Sequence, residues 1–304
     1  YKYGISFGSQ IDDVSIEKYL VDFSGKDDSL SDVIKEYDLD ASKPASALLC
    51  LHSIMSDKLK KEKLIDLYRD LELPLCDVLF DMERAGFKID ETALKEAEKN
   101  YESRLKAMTE RITELAGCEF NLNSPKQLGV ILFEKLGLKS GKKNKNGYST
   151  SADILEKLKD EHPVVSEILK YRQIQKLYST YIKGFEPLVE RGTGLVHTCF
   201  NQTLTSTGRL SSKEPNLQNI PVREQEGREL RKLFVSSFEG GKIVGADYSQ
   251  IELRLLAHFS DCNQLIEAFN EGKDVHALTA SQVFGVPLAE VTKEMRQSAK
   301  AVNF

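Results

Sequence analysis

The sequence predicts an α+β fold, mostly helical, with short strands feeding the helices. Three observations predict it. Apolar residues recur at steps of three and four over 64–86, 90–117 and 163–181, the spacing of one helical face. Asp90, Pro163 and Asp274 stand where helix starts are expected, and Gly86 and Gly117 where ends are. An apolar run, Ile243, Val244 and Ala246, reaches Asp247 and turns at once into a helical pattern through Ile251, Leu253, Leu255 and Leu256. That reads as strand passing into helix, with one carboxylate at the strand's mouth, a placement that suits a metal-binding acid facing a phosphate.

Residues 1–60 are mixed. Tyr19, Leu20, Val21 and Phe23 read as a short strand or buried turn. Asp27, Asp28 and Ser29 interrupt, and Leu30, Val33 and Ile34 suggest a short helix. Lys58, Lys60, Lys61 and Lys63 read as a solvated helix face. The helix over 64–86 shows Leu64, Leu67, Leu71, Leu75, Val78, Leu79 and Met82. The next, capped by Asp90, would be roughly 40 Å long. It suits a projecting helical hairpin, with a coiled coil as the alternative. Residues 139–151 form a polar loop carrying Lys142, Lys143 and Lys145, either a flexible surface loop or a tip that grips phosphate. On the helix opened by Pro163, Arg172, Lys176, Ser179 and Lys183 share a polar face with no acid interleaved. Phosphate contact is favoured there over a solvated stripe.

At 304 residues the chain has room for about two domains. Its 40 % apolar and 29 % charged residues are those of a globular protein. The net charge of −5 excludes a bulk polycation, so any nucleic-acid surface must concentrate its basic groups locally. The five cysteines are scattered without a Cys-x-x-Cys pair. A zinc site is therefore not expected, and the odd count argues for reduced thiols in a reducing compartment. No apolar run approaches the ~20 residues of a membrane span. The start has neither a methionine nor a signal-peptide layout.

The polar, turn-rich stretch 205–221 offers Arg209, Asn216, Gln218 and Asn219 as donors. Minor-groove acceptors lie at similar places on every base pair, so such donors can test pair geometry without reading sequence. A plain loop capping its own turns is the alternative. Ser249 and Glu252 fit a capping box at the helix after Asp247, a structural role beside any functional one. His276 follows the cap Asp274, where a cation gains from a nearby phosphate. Arg296, Lys300 and Phe304 recur at steps of four, two cations and an aromatic that could span a triphosphate and a base, or a charged surface stripe.

Together these stretches resemble family A DNA polymerases, in the large-fragment region of the bacterial enzymes. The resemblance rests on Ser-Thr-Gly-Arg-Leu-Ser-Ser (206–212), Pro-Asn-Leu-Gln-Asn-Ile-Pro-Val-Arg (215–223), Asp-Tyr-Ser-Gln-Ile-Glu-Leu-Arg (247–254), Gly-Lys-Asp-Val-His (272–276) and Arg-x-x-x-Lys-x-x-Asn-Phe (296–304), in that order. It implies a partial right-hand polymerase of thumb, part of the palm and the start of the fingers. Residues 1–60 would be the remnant of a 3′-5′ exonuclease-like domain. Within 61–304, residues 64–90 would lead into palm and thumb, 90–190 would be thumb, 191–255 palm and 256–304 fingers. By resemblance Asp247 is the motif A metal ligand, with the Tyr248 carbonyl a second ligand. Glu252 is the steric gate against a ribose 2′-hydroxyl. Arg209 holds the primer terminus, and Asn216, Gln218 and Asn219 line the template–primer. His276, Arg296 and Lys300 hold the triphosphate, and Phe304 stacks on the incoming nucleotide. Two Mg²⁺ ions about 4 Å apart would activate the primer 3′-hydroxyl and steady the pyrophosphate.

The family's second catalytic acid, in a His-Asp-Glu motif, is absent from these 304 residues. The chain is therefore expected to be catalytically incomplete alone. The single Asp-x-Glu, Asp81–Glu83, sits in a helical pattern that turns the two acids about 200° apart, so no exonuclease is expected. A non-catalytic DNA-binding module and a nuclease are the competing readings. The expected partners are template–primer duplex and dNTP, the expected state a monomer, and the setting the bacterial cytoplasm at the nucleoid. Charge reversal of Lys142, Lys143 and Lys145 together should flatten the salt dependence of duplex binding.

Overall fold

The computed structural model describes residues 11–23, 29–139, 147–222 and 225–303, with 301–303 described by backbone alone. Two compact units divide the chain, Tyr1–Lys242 and Ile243–Phe304.

In the first unit, α1 (Val14–Val21) starts at Asp13, whose carboxylate accepts the Ser15 and Ile16 N–H groups at 2.8 and 3.2 Å. The strand or turn expected over 19–23 is therefore a helix as far as Val21. A good cap and the burial of Ile16 against Leu59 and Tyr68 outweigh the weak strand preference of a short apolar run. The helix expected next is α2 (Leu30–Glu36), capped by Ser29. Then α3 (Pro44–Glu62) buries Ala47, Leu51, Met55 and Leu59, four apart throughout. Lys60, Lys61 and Lys63 are exposed as expected, while Lys58 donates to the Tyr37 hydroxyl at 3.0 Å.

The helix read over 64–86 exists in three pieces. These are α4 (Ile65–Leu67), a π turn (Tyr68–Glu72) and α5 (Leu73–Ala85). Pro74 lacks the N–H that would bond one turn back, which accounts for the widened turn ahead of it. The expected apolar face is core only in part. Leu79 is buried as expected, but Leu71, Val78 and Met82 are about half exposed, and Tyr68, outside that face, is buried. The helix stops at Gly86, whose φ of +62° and 2.8 Å approach to the His197 ring leave no place for a side chain.

β1 (Phe87–Ile89) is the centre of a three-stranded antiparallel sheet. From Asp90, which caps Thr92 and Ala93 at 3.0 Å, α6 (Glu91–Ala116) runs 26 residues to Gly117. It buries Leu94, Tyr101, Leu105, Ile112 and Ala116. Short helices α7 (Pro125–Gly129) and α8 (Ala152–Leu158) lead to α9 (Pro163–Leu177), which packs on α6 and continues as a π turn (Tyr178–Ile182). Between them lies the main core, with Leu128, Leu132, Leu155, Ile168 and Ile174. β2 (Leu195–Val196) then returns beside β1. β3 (Cys199–Asn201) and β4 (Ser211–Lys213) form an antiparallel ribbon in register Cys199↔Lys213 and Asn201↔Ser211. After α10 (Gln225–Arg231), β5 (Phe234–Val235) closes the sheet on the other side of β1.

The second unit contains α11 (Ile251–Phe259), α12 (Asn263–Asn270), α13 (Val275–Phe284) and α14 (Lys293–Asn303). Leu253, Ala268 and Val275 are its small core. The strand expected over 243–247 is not formed. Ile243 is 52 % and Val244 87 % exposed, and the segment pairs with no strand among the described residues. Lone extended backbone has no ladder to satisfy it, so apolar content alone does not make a strand. No helix of the described residues is long and apolar enough to cross a membrane.

Candidate nucleotide and nucleic-acid interface

Within the second unit, Asp247 lies in the exposed, unpaired segment before α11, beside Tyr248, itself 81 % exposed. The capping box expected from Ser249 and Glu252 does not form. The N-cap is Gln250, in a left-handed conformation (φ 54°) and without a side-chain cap. The helix thus begins one residue too late for the box. Instead the Ser249 carbonyl accepts from Arg254 Nε at 3.0 Å, and the Arg254 guanidinium lies 4.5 Å from the centre of the Phe269 ring. Glu252 is exposed in the first turn of α11, where its charge suits the helix dipole.

The α13–α14 pair is better organised. Asp274 caps α13 as expected, accepting from the His276 and Ala277 N–H groups at 3.0 and 3.2 Å. Its other oxygen accepts from Arg296 Nε at 2.6 Å. Partial burial pushes the Asp274 carboxyl up, but Arg296 and the two N–H groups outweigh it and hold it below the usual range. His276 is only 4 % exposed. Burial first, then the Arg296 and Lys300 charges, push its pKa down against the opposing pull of Asp274. Two helices therefore gather His276, Arg296 and Lys300 round one end of α13, with one carboxylate among them. Arg296 and Lys300 stand one turn apart on α14, about 6 Å. An anion of several charges is the natural complement of such a set. Phe304 lies outside the described residues.

Within the first unit, the 205–221 stretch is held from below. The Ser212 and Thr198 hydroxyls are buried and 2.6 Å apart. Thr198 Oγ1 donates to the Pro215 carbonyl at 2.8 Å, and Ser212 Oγ accepts from the Leu217 N–H at 3.0 Å. Strand β3 is tied to α5 through Glu83, whose carboxylate accepts the Phe200 N–H at 2.6 Å. Gln202 donates to the Glu72 carbonyl and carboxylate at 3.0 and 2.8 Å, and the Tyr19 hydroxyl to the Thr205 carbonyl at 2.7 Å. The ties through Glu83, Gln202 and Tyr19 were not legible beforehand, because each partner is more than 110 residues away.

Asn216 does what the plain reading of the loop expects, its carboxamide oxygen accepting the Gln218 N–H at 3.0 Å. Arg209, Gln218 and Asn219 are exposed. Gln218 and Asn219 border a cleft of about 530 Å³ with Lys176, Gln173 and Tyr181. The Tyr181 hydroxyl donates to the Asn219 carbonyl and so pins the loop to the end of α9.

The basic face of α9 is reshaped by its neighbours. Arg172 donates to the carbonyl and, at 3.1 Å, the hydroxyl of Thr150, and burial pushes its pKa down. Lys183 pairs with Glu98 from α6 and, at 3.4 Å, with Glu186. The missing acids come from other segments, which spacing along one helix cannot reveal. Lys176 stays exposed at the cleft. Lys142, Lys143 and Lys145 lie outside the described residues.

The description of DNA polymerase family A matches residues 91–304. DNA polymerase I of Bacillus subtilis (strain 168) is 51 % identical over 273 residues, 90 % of this chain and 31 % of that protein. DNA polymerase I of Geobacillus stearothermophilus is 52 % identical over 260 residues, 86 % of this chain and 30 % of that one. The chain thus spans about a third of the length of these relatives. Among solved structures, the POL domain of Pol1 from M. smegmatis in complex with DNA primer-template and dNTP is similar at a TM-score of 0.83 and 37 % identity, over 96 % of this chain and 53 % of that one. Sequence and structure agree over most of its length: the chain belongs to DNA polymerase family A.

Proposed function

We propose that the chain is the thumb, part of the palm and the start of the fingers of a DNA-directed DNA polymerase, transferring nucleotides from dNTP to a primer 3′-hydroxyl. The observation that carries this reading is the gathering of His276, Arg296 and Lys300 round the capped end of α13. His276 and the Arg296–Lys300 pair were singled out from separate motifs, and they meet at one end of α13. They hold the triphosphate, with Phe304 on the base. The similar Pol1 domain, solved with primer-template and dNTP, supports the polymerase reading.

Duplex lies along the 205–221 loop. Gln218 and Asn219 face the minor groove, Arg209 the primer end, and Lys176 a phosphate. Arg172 acts on DNA only through Thr150 and the loop it holds. Asp247 and the Tyr248 carbonyl fit Mg²⁺, a hard cation that takes oxygen ligands and keeps several waters. When bound, the ions supply charge neutralisation and an activated 3′-oxygen. Asp247 offers them an exposed carboxylate, Glu252 reads the sugar, and Arg296 and Lys300 offset charge on the phosphates. A two-metal site needs a further acid, so these 304 residues bind substrates without extending primers. The protein works as a monomer on nucleoid DNA in the bacterial cytoplasm, and residues 1–60 carry no exonuclease activity.

The test is a pair of measurements on the 304-residue chain. Mg·dNTP binding, followed by fluorescence of a labelled nucleotide, should fall at least tenfold in Arg296→Ala. Primer extension should be undetectable. Unchanged nucleotide affinity would remove the triphosphate assignment, and robust extension the incomplete-site reading.

A further inference from the structure

We propose that Asp12, Glu17 and His52 form a second divalent-cation site, one that takes a zinc-type ion and clamps α1 to α3. It depends neither on the polymerase reading nor on Asp247.

One ligand atom from each of the three residues lies within 4.8 Å of the others. Proximity alone would carry nothing, since side chains of this kind often meet without an ion. The state of Glu17 adds the decisive observation. It is fully buried between α1 and α3. Oε1 stands 2.8 Å from His52 Nδ1, while Oε2 is enclosed and has no hydrogen-bond partner among the described residues. A carboxylate oxygen removed from water and left unpaired is an unfavourable arrangement that a cation would relieve.

The geometry is close to that of a closed site. Four-coordinate zinc with N and O ligands at about 2.0–2.1 Å has ligand–ligand edges of roughly 3.4 Å. The 2.8 Å pair needs to open by a fraction of an ångström, and the widest separation closes by about one and a half. Asp12 is already oriented for this. Its Oδ1 accepts from the Tyr68 hydroxyl at 3.3 Å, and that hydroxyl accepts the Asp13 N–H at 2.9 Å. Outer hydrogen bonds of this kind orient metal ligands. Access exists too. Asp12 and His52 both border a cavity of about 820 Å³, and the His52 side chain is 37 % exposed.

The donor set selects the ion. One imidazole nitrogen and two carboxylates neutralise a dication and leave one position for water. Mg²⁺ wants six oxygens in near-ideal octahedral array and dehydrates reluctantly. Among the first-row ions a mixed N/O site favours Zn²⁺ over Mn²⁺. The absence of a Cys-x-x-Cys pair argued against zinc in the sequence, yet this site needs no cysteine. Its ligands lie in the segment before α1, on α1 and on α3, 35 residues apart at most for the bonded pair, and spacing alone does not join them.

The test uses the whole chain, stripped with chelator and dialysed against Zn²⁺, with bound metal measured by mass spectrometry and the thermal midpoint recorded. The expected result is one equivalent of Zn²⁺ with a raised midpoint. His52→Gln and Glu17→Gln should each lose that equivalent, with affinity weaker by well over ~100-fold, beyond the roughly 10–100-fold range of outer-shell changes. Asp247→Asn should keep it. Should Glu17→Gln fail to fold, His52→Gln decides, since the half-exposed ring can be replaced without emptying the core. Equal zinc binding by wild type and His52→Gln would overturn the site. A larger midpoint rise with Mg²⁺ than with Zn²⁺ would overturn the choice of ion.

Discussion

The 205–221 loop and the segment from Ile243 to Gln250 carry the two most telling motifs of the chain, and they are held in opposite ways. Thr198, Tyr181 and Tyr19 bond the loop from three other segments, and Glu83 and Gln202 tie the adjoining β3 strand to the π turn and α5 before it. The loop's exposed donors therefore project from a fixed base. The 243–250 segment has no strand partner among the described residues, and Val244, Asp247 and Tyr248 stand open. On the proposed reading, donors that test duplex geometry should not move, and a loop fixed before DNA arrives suits them. A metal-binding carboxylate can be ordered by the ion it binds. Preorganisation is thus built into one motif and left to ligands in the other.

That contrast can be broken or sharpened by substitution. The largest effect is expected at Arg296. Its loss removes a charge-assisted contact worth about 1.5–3 kcal/mol, so Arg296→Ala should weaken Mg·dNTP binding by roughly 10- to 150-fold, read by nucleotide titration. Next comes Gly227→Ala. A Cβ there would stand 2.4 Å from the Pro221 carbonyl oxygen, and overpacking of this kind costs about 2 kcal/mol. Urea denaturation should show that loss, with duplex affinity falling and nucleotide affinity unchanged. A fall in both would mean that the two motifs are not independent. Smaller changes, about 1 kcal/mol each, are expected on duplex binding. Lys176→Ala should reduce the slope of log affinity against log salt by about one. Gln218→Ala should weaken binding at unchanged slope.

Acid titration supplies a subtler test. The folded pKa of His276 lies below its unfolded value of about 6.5. Below that value the unfolded chain binds the proton that the folded chain resists, so stability is full above pH ~6.5 and falls as pH falls. Urea midpoints at pH 7.5 and 5.5 should differ more for wild type than for His276→Gln. The least effect belongs to Val244→Ser. This side chain is 87 % exposed, and the change should stay within about 0.5 kcal/mol. A loss above 1 kcal/mol would show that the segment is packed after all.

Much of the helical framework was legible. Periodicity and the Asp90 and Gly117 boundaries located α6 to the residue, and Asp274 was rightly read as a cap. Helices declare themselves through neighbours three and four residues away. The sheet β2-β1-β5 was missed because its strands are two or three residues long and pair over more than 100 residues, Lys88 with Leu195 and with Val235. A strand was expected at 243–247, where apolar content has no partner. Over 64–86 the helix was found but its buried face was only partly right: Leu79 is buried as expected, whereas Leu71 and Val78 are exposed and Tyr68 is buried. The Ser249 capping box failed by one residue, because a left-handed Gln250 delays the helix start.

By itself the sequence determined the family, the helices and the identity of the chemical groups, since all three rest on residue type and local order. Tertiary structure decided which of those groups meet. It brought His276 to Arg296 and Lys300, turned Arg172 to Thr150, paired the exposed Lys183 with Glu98, and buried Glu17 beside His52. The physical reason is distance along the chain. Charge, hydrogen bonding and desolvation act over a few ångströms, and only the fold sets which residues come within that range.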